Sequence, residues 1–341
     1  MSEKWPFVSV VMPVRNAGRY IGDAIKSILS QDYPHERMEI VVADGMSEDN
    51  TRGVVESYKD RDVDIKIIDN EGLTVPYAMS KLVLSAKGKI IVRLDGHARF
   101  PVDYIRTMVN ILLSNRADCA GGRLQTIGIG RMGNAIAIAM SSVIGVGASF
   151  RTAREDMLVD TVAFGAYWRK DLLRTGEYIP YLTRNSDEEH NYRFREMGKK
   201  IIVLSQPEVS YISRGSIGGL FRQMYGYGFY KPVVLYLHPE FLKIRQILPM
   251  FFILLIGPFV SSIIWNNIAI FYAILIPVVL YLLAIIGFTL KIMKKGGFVI
   301  GLLSGISAVI MHFTYGTGEI TGLLKLLILE TRGDIKNLKK S

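Results

Sequence analysis

The chain has 341 residues, half of them hydrophobic, with 41 basic and 31 acidic residues and a formal net charge of +10. The 45 residues from Gln246 to Leu290 and the 23 residues from Gly296 to Gly318 contain no Asp, Glu, Lys or Arg. Uncharged stretches of this length exclude a disordered chain and a wholly soluble protein.

The excess of basic residues is shared equally between residues 1–245 and the shorter part that follows. Because the charge is not concentrated in the front part, we expect an anionic membrane surface as partner and no nucleic acid. The N-terminus lacks the apolar run of a signal peptide. Cys119 is the single cysteine, which indicates a reducing compartment and a buried thiol.

The first hundred residues alternate between apolar strands and helices with an apolar face. We predict strands at 7–14, 38–43, 64–69 and 89–95, and helices near 21–29, at 50–59 and from Pro76 onward. This order predicts an α/β fold whose mainly parallel sheet is covered by helices on both faces. Arg15, Asp44 and Asp95 follow three of these strands, at the edge where such sheets bind ligands. We also expect Asn16 to cap the first helix.

The middle of the chain contains an uncharged segment, residues 132–150, which is rich in Gly, Ala and Ser. Its length would suit a membrane span, but its glycines weaken the helix that a span requires. We therefore expect residues 127–150 to pack against the sheet or to rest at the membrane interface.

The charge pattern divides the chain into four predicted regions. A cytoplasmic α/β domain covers residues 1–215, an interfacial amphipathic segment 216–245, a membrane domain 246–330 and a basic tail 331–341. Two to three spans are expected, at about 247–264, 268–290 and 298–317, since each can cross a hydrocarbon core of ~30 Å at 1.5 Å per residue.

Basic residues flanking the first two spans set the expected orientation. They are Lys243, Arg245, Lys291, Lys294 and Lys295, and by the positive-inside rule they place the front domain in the cytoplasm. Three complete crossings would leave the basic tail outside, against that rule. Either the third segment is re-entrant, as its six glycines between 296 and 318 allow, or the rule is overridden.

Acidic residues follow the second and fourth strands. Asp95 and His97 stand two residues apart, and an extended Asp-x-His can aim both side chains at one Mn²⁺ or Mg²⁺ ion. The alternative is a plain turn, because Asp-Gly is a turn signal. Asp44 either accepts a hydrogen bond from a nucleotide base or begins a turn in which Ser47 or Asp49 caps the next helix.

Two later segments carry further candidate groups. Asp187 stands first in a run of three acids that could supply a general base, while Ser186 and Glu189 fit a capping box that would fix the direction of Asp187. Arg214 and Arg222 could stabilise a diphosphate. The aromatic residues around them also suit a helix at the membrane interface.

In this order, the motifs resemble the family 2 glycosyltransferases of the GT-A fold, which are inverting enzymes that use nucleotide sugars. The resemblance covers the first 245 residues and is greatest to bacterial succinoglycan-type membrane glucosyltransferases. It is carried by VSVVMPVRN at 8–16, VRLDGHARF at 92–100, SSVIGVG at 141–147, VDTVAFGAY at 159–167 and HFTYGTG at 312–318.

The resemblance implies roles for individual residues. Pro13, Arg15 and Asp44 would line the nucleotide pocket, with Asp44 facing uracil. Asp95 would ligate the metal ion, and Asp187 would be the catalytic base.

The resemblance further implies that Gln223 begins a Gln-x-x-Arg-Trp-like element that binds the donor. Gly226 and Tyr227 stand where that element has Arg and Trp, which favours addition of a single sugar, and Arg222 or Arg214 could supply the missing charge. His97 replaces the second metal-binding Asp of the family, and imidazole can still ligate. Ser186 replaces the usual Glu before the base.

The expected function is transfer of glucose or a related hexose from a UDP-sugar to a lipid-linked saccharide in the biosynthesis of a surface polysaccharide or glycan. Three alternatives remain: a polyprenyl-phosphate glycosyltransferase, a processive polysaccharide synthase and a non-catalytic membrane scaffold. A dinucleotide-binding oxidoreductase is disfavoured because no Gly-x-Gly-x-x-Gly follows the first strand.

Overall fold

The computed structural model describes residues 5–59, 61–145 and 149–331. These residues form two units. The first draws on Met1–Gln125 and Ala148–Ile212, and the second draws on Thr126–Gly147 and Ser213–Lys340.

Nine strands among the described residues form one sheet. They are β1 Val8–Val14, β2 Met38–Asp44, β3 Asp64–Asp69, β4 Ile90–Arg93, β5 Ala98–Arg99, β6 Cys119–Ile127, β7 Met157–Leu158, β8 Ala166–Trp168 and β9 Ile201–Ile212. Their order is β3-β2-β1-β4-β8-β6-β9-β5, and β7 pairs with β9. The first four strands are parallel, as predicted, whereas β8 runs antiparallel to β4 and β6.

The helices are α1 Ile21–Leu29, α2 Thr51–Glu56, α3 Val75–Ser85, α4 Tyr104–Leu113, α5 Gly130–Met140, α6 Ser149–Thr152, α7 Arg169–Thr175, α8 Ser186–Glu196, α9 Ile217–Leu237, α10 Ile244–Leu254, α11 Ile256–Ile264, α12 Ile268–Gly296 and α13 Phe298–Thr331. Short 3₁₀ turns lie at His35–Arg37 and Pro239–Phe241.

Both faces of the sheet are covered, as its unbroken apolar strands predict. Val10 of β1 belongs to one buried cluster with Ile25 of α1, and the next residue, Val11, belongs to another with Leu82 of α3. Cys119 lies buried in the second cluster, as expected.

Asn16 does not cap α1, so that prediction is wrong. Its φ is 49° and its side-chain oxygen accepts the backbone N–H of Glu48 at 2.9 Å, while its own N–H donates to Oγ of Ser47 at 2.8 Å. Asn16 therefore joins the loop after β1 to the loop after β2. Ser47 also does not cap α2, whose N-cap residue is Asn50 without a side-chain bond.

Three apolar helices of the second unit are long enough to cross a membrane by length and composition: Ile244–Ile264, which combines α10 and α11, then α12 and α13. They agree with the three predicted spans. α13 is one unbroken helix of 34 residues, so the break that a re-entrant third segment requires is not formed. The tail beyond residue 331 lies outside the described residues.

Residues 132–140 of the uncharged middle segment belong to α5, which has 11 residues and is too short to span a bilayer. Ile136 and Met140 of α5 share a buried cluster with Met224 of α9, Phe288 of α12 and Met311 of α13. This packing within the second unit replaces the packing against the sheet that the sequence suggested.

Candidate active site

The carboxyl ends of the parallel strands bring two acidic residues side by side. Asp44 closes β2 in register with Val14 of β1 and Asp69 of β3. The side chain of Asp44 is buried, and its Oδ1 accepts a hydrogen bond from Oγ of Ser47 at 2.6 Å. Nη1 of Arg52 lies 3.5 Å from Asp44 and 2.7 Å from Asp69. Asp44 is therefore a carboxylate of fixed direction at the ligand-binding edge of the sheet.

Pro13 and Arg15 lie beside this carboxylate in the first unit. Pro13 is a buried member of β1 and pairs with Ala43 of β2. Arg15 follows the strand and is exposed. A Cβ at Gly45 would lie 3.1 Å from Cβ of Arg15, so the backbone after Asp44 passes close beneath the arginine. The three residues predicted to line a nucleotide pocket thus share one edge of the sheet.

Arg93 lies between two other acidic residues of the same unit. Its Nε is 3.5 Å from Oδ1 of Asp95, and its Nη1 is 3.9 Å from Oδ2 of Asp187. Burial disfavours the charge on Arg93, whose side chain is 12% exposed, but the two carboxylates outweigh this effect and raise its pKa. Arg93 is therefore a permanent cation that brings the predicted metal ligand and the predicted base together.

The contact between Arg93 and Asp95 contains two buried atoms that form no hydrogen bond within the described structure. Nε of Arg93 and Oδ1 of Asp95 are both buried and have no hydrogen-bond partner among the described residues. Buried polar atoms without hydrogen bonds lower the stability of the fold unless a ligand supplies the missing contacts. A carboxylate oxygen is a hard ligand, so Asp95 fits a divalent cation held together with phosphate oxygens.

His97 lies in the turn between β4 and β5. Its ring contacts the edge of Tyr211 of β9, with centroids 4.9 Å apart. Arg151 of α6 lies over the same tyrosine, with its Cζ 5.6 Å from the centroid of the Tyr211 ring. His97 thus packs against an aromatic residue, and its ligation of a metal ion remains a prediction.

The capping box predicted at the start of α8 is not formed. The N-cap residue is Asn185, which has a φ of 60° and whose side chain does not cap the helix, and Ser186 is already helical. Glu189 instead accepts two hydrogen bonds from Arg193, at 2.7 Å from Nε and 2.9 Å from Nη2. The carboxylate of Glu189, which the capping box would have used, therefore pairs with Arg193 one turn along the helix.

The three neighbouring acids of α8 consequently have different surroundings. Glu189 is buried against Arg193, and Glu188 accepts a 2.6 Å hydrogen bond from the hydroxyl of Tyr192. Asp187 is 42% exposed and faces Arg93. Asp187 is therefore the acid of this run that combines partial exposure with a contact to Arg93.

His190 was not singled out from the sequence, and it lies buried one turn after Asp187. Its ring stacks on Tyr178 at a centroid distance of 4.0 Å, and its Nε2 bonds the carbonyl of Gly176 at 3.2 Å. Burial, aided by the charge of Arg193, lowers the pKa of His190 to about 3. His190 is therefore neutral and ties α8 to the segment that precedes it.

The remaining predicted residues belong to the second unit. Arg214 and Arg222 are exposed, and Gln223 is buried on α9. Gln223 donates from Nε2 to the hydroxyl of Tyr227 at 3.2 Å, and its Oε1 has no hydrogen-bond partner among the described residues. Their participation in one site with Asp44, Asp95 and Asp187 remains a prediction.

The mainly parallel sheet with helices on both faces is a GT-A-like α/β fold, and comparison with known proteins agrees. Residues 9–173 match the family model described as Glycosyl transferase family 2. These residues therefore form a family 2 glycosyltransferase domain.

Two relatives match almost the whole chain. Succinoglycan biosynthesis protein ExoA of Rhizobium meliloti (strain 1021) is 25% identical over 313 residues, which are 91% of this chain and 92% of that protein. A dolichyl N-acetyl-alpha-D-glucosaminyl phosphate 3-beta-D-2,3-diacetamido-2,3-dideoxy-beta-D-glucuronosyltransferase of Methanococcus voltae is 24% identical over 329 residues, which are 94% and 98%.

Solved structures confirm the fold. The mannosyltransferase PcManGT from Pyrobaculum calidifontis, in complex with GDP-Man and Mn²⁺, has a TM-score of 0.55 at 18% identity and covers 95% of this chain and 88% of that one. GalNAc-T7 with UDP, GalNAc and Mn²⁺ has a TM-score of 0.51 at 18% identity and covers 68% and 52%.

Proposed function

We propose that this glycosyltransferase inverts configuration and moves glucose or a related hexose from a UDP-sugar to a lipid-linked saccharide at the cytoplasmic face of a membrane. The observation that carries the proposal is the position of Arg93 between Asp95 and Asp187. The arrangement offers a metal ligand, a cation and an accessible base within the span of one side chain.

The donor pocket is proposed at Pro13, Arg15 and Asp44. The buried carboxylate of Asp44 is held by Ser47 and can accept a hydrogen bond from the N–H of uracil. Arg15 lies at the same edge and can neutralise a phosphate.

Asp95, with His97 as the second candidate ligand, is proposed to hold Mn²⁺ or Mg²⁺. The bound ion would supply positive charge that stabilises the departing nucleoside diphosphate. Arg93 would support the same charge from the protein side, since its buried Nε has no hydrogen-bond partner among the described residues and can donate to a phosphate oxygen. The support from relatives is indirect: Mn²⁺ accompanies the nucleotide or nucleotide sugar in both structural neighbours.

Asp187 is proposed as the general base. It would remove the proton of the acceptor hydroxyl while that oxygen attacks the anomeric carbon from the face opposite the leaving diphosphate, which inverts the configuration. Arg93 would orient Asp187, and Glu188 and Glu189 would stay in their contacts with Tyr192 and Arg193.

The acceptor is proposed to be lipid-linked because the second unit contains three helices able to span a membrane. The Methanococcus voltae relative is named for a dolichyl-phosphate-linked sugar, which supports this class of acceptor. We propose Arg214, Arg222 and Gln223 as further donor-binding residues, and the flanking lysines favour a cytoplasmic catalytic domain.

The test uses purified full-length protein in lipid nanodiscs with Mn²⁺ or Mg²⁺, a panel of radiolabelled nucleotide sugars and a native lipid extract. The expected result is release of UDP with one donor and a labelled lipid that gains a single sugar. A growing polymer would indicate a processive synthase, and a labelled polyprenyl phosphate monosaccharide would indicate the other enzyme class. Absence of transfer with every donor would contradict the proposal and favour a scaffold.

A further inference from the structure

Two sequence motifs that the proposed catalysis does not use meet in the second unit. The turn at 141–145 belongs to the SSVIGVG motif, and His312 begins the HFTYGTG motif. Nε2 of His312 lies 2.6 Å from the carbonyl oxygen of Ile144, and Nδ1 of His312 lies 3.0 Å from the hydroxyl of Tyr281. The contact joins the turn after α5 to α13 and α12.

The hydrogen-bond partners define the state of this histidine. A carbonyl oxygen only accepts, so Nε2 carries the proton and donates it to Ile144. Nδ1 is then free to accept from the hydroxyl of Tyr281. All three polar groups are satisfied without a net charge, which is what a hydrocarbon environment demands.

The meeting point lies at the middle of the candidate spans. Tyr281 is the fourteenth of the 29 residues of α12, and His312 is the fifteenth of the 34 residues of α13. Phe252 of α10, in the first candidate span, packs on Tyr281 with ring centroids 5.4 Å apart. If these helices cross a hydrocarbon core of ~30 Å, the carbonyl of Ile144 lies near its centre.

The length of α5 fits this depth. Its 11 residues extend about 16 Å at 1.5 Å per residue, which is about half of the hydrocarbon thickness. The apolar face of α5 packs with α9, α12 and α13, as Ile136 and Met140 illustrate. A half-length helix whose only charged residue, Arg131, lies in its first turn cannot cross the membrane but can enter it with its uncharged end.

In the turn that ends α5, polar groups form hydrogen bonds with one another instead of with water. Oγ of Ser142 donates to the carbonyl of Ala139 at 2.8 Å and accepts the N–H of Gly145 at 3.0 Å. The turn folds back so closely that a Cβ at residue 145 would collide with the carbonyl of Ala139, so glycine is required there. The tip residue Val143 is apolar and 88% exposed.

We propose that residues 130–145 form a membrane-inserted helix and turn, that Val143 at its tip contacts the acyl chains of the bilayer, and that His312 holds the turn at this depth. The occupant of the exposed tip is lipid, because the tip lies level with the middle of three apolar helices and the segment from 132 carries no charge. The inference depends on the membrane part of the proposed function and is independent of the catalytic part.

The experiment measures depth in full-length protein reconstituted in liposomes. Single cysteines at Val143 and, as the lipid-facing control, at exposed Val279 in α12 are introduced in a Cys119→Ala background and labelled with a fluorophore. Lipids with a quencher deep in the acyl chain should quench the Val143 probe more strongly than lipids with a quencher at the headgroup. Quenching of the Val143 probe by aqueous iodide instead would overturn the proposal.

The Val279 control distinguishes failure of the inserted turn from failure of the candidate membrane spans. If the Val279 probe is quenched by deep lipids and the Val143 probe is not, the inference fails while the spans stand. If neither probe is quenched by lipid, both the inference and the membrane part of the proposed function fail.

Histidine variants test the anchor. His312→Leu removes the donor to Ile144 and should move the Val143 probe toward the surface, because an unsatisfied carbonyl is expelled from hydrocarbon. His312→Gln keeps an N–H donor and should restore most of the deep quenching. Unchanged depth in His312→Leu would exclude the anchoring role, and so would failure of His312→Gln to differ from it.

Discussion

Nη1 of Arg93 lies 3.9 Å from Oδ2 of Asp187, and β4 and the first turn of α8 supply the two residues. On its other side, the same guanidinium lies 3.5 Å from Asp95. The positive charge of Arg93 therefore lies between the two carboxylates and attracts both of them.

Replacement of Arg93 by Met should lower kcat/KM for sugar transfer by about 100-fold, comparable to loss of one preorganised charge donor in other active sites. Arg93→Lys should recover part of the loss because it keeps the charge but loses the fork that reaches both acids. Steady-state transfer assays measure both variants. The matched control is Arg106→Met, which removes an exposed ion pair with Asp32 and should change activity less than twofold. Equal activities of the Arg93 and Arg106 variants would contradict the role of Arg93.

Asp44→Asn should weaken binding of UDP-sugars while leaving the turnover number nearly unchanged. The carboxylate accepts from Ser47 and is proposed to accept from the base, and an amide serves these contacts less well. We expect KM for the donor to rise about tenfold, with kcat within about threefold, as for a lost ground-state contact. Glu48→Gln in the same loop is the control. A fall in kcat at constant KM would argue against a role of Asp44 in donor binding.

Removal of divalent cations by EDTA should abolish transfer, and added Mn²⁺ or Mg²⁺ should restore it. Asp95→Asn should raise the concentration of metal needed for half-maximal activity by about 10-fold or more, since a neutral amide is a poorer ligand than a carboxylate. Direct Mn²⁺ binding, followed by electron paramagnetic resonance with UDP present, measures the same change without turnover. Full activity in EDTA would contradict the metal requirement.

The buried, neutral His190 should make the stability of the first unit depend on acid. Its pKa is about 3 in the folded chain against 6.5 as the ordinary value, so the unfolded chain binds the proton first. Stability is therefore lost as the pH falls below about 6.5, and the loss from this group should reach about 2 kcal/mol at pH 5.

Chemical denaturation of the full-length protein at pH 7 and pH 5 measures this loss. His190→Phe keeps an aromatic ring against Tyr178 and cannot be protonated, so its stability should fall less between the two pH values than that of the wild type. The variant should also be less stable at pH 7, because the carbonyl of Gly176 loses its partner. An identical pH dependence of both proteins would show that His190 does not carry the effect.

The sequence predicted the parallel part of the sheet well because its signals are local. β1 and β2 are short runs of β-branched and other apolar residues that end at polar ones, and such runs occur in sheets buried on both faces. The order of strands and helices then placed Asp44 and Asp95 at the same edge, before any distance was known.

The contacts made across the fold were not predictable in this way. Asn16 has the residue type of a helix cap, yet its side-chain oxygen accepts the backbone N–H of Glu48 in the loop after β2. Glu189 fits a capping box, yet Arg193 one turn later binds it with two hydrogen bonds. In each case a tertiary or side-chain partner competes with a local signal and wins.

Arg93 shows what the sequence signal was and why it was not enough. A single charged residue in the apolar run of β4 is unusual, and such a residue needs a partner once it is buried. The partner Asp187 comes from α8, and only the folded chain brings the two together. The α5 segment is similar, since its glycines disfavoured a span but could not identify the helices on which it packs.

The central claim is that Asp187 is the catalytic base, and the most direct measurement compares sugar transfer with nucleotide binding in Asp187→Asn. Transfer should fall by at least about 1000-fold, as for loss of a general base, while UDP-sugar affinity stays within about threefold. Glu188→Gln, one residue along the helix, should retain most of the activity. Near-normal transfer by Asp187→Asn, with nucleotide binding intact, would contradict the account.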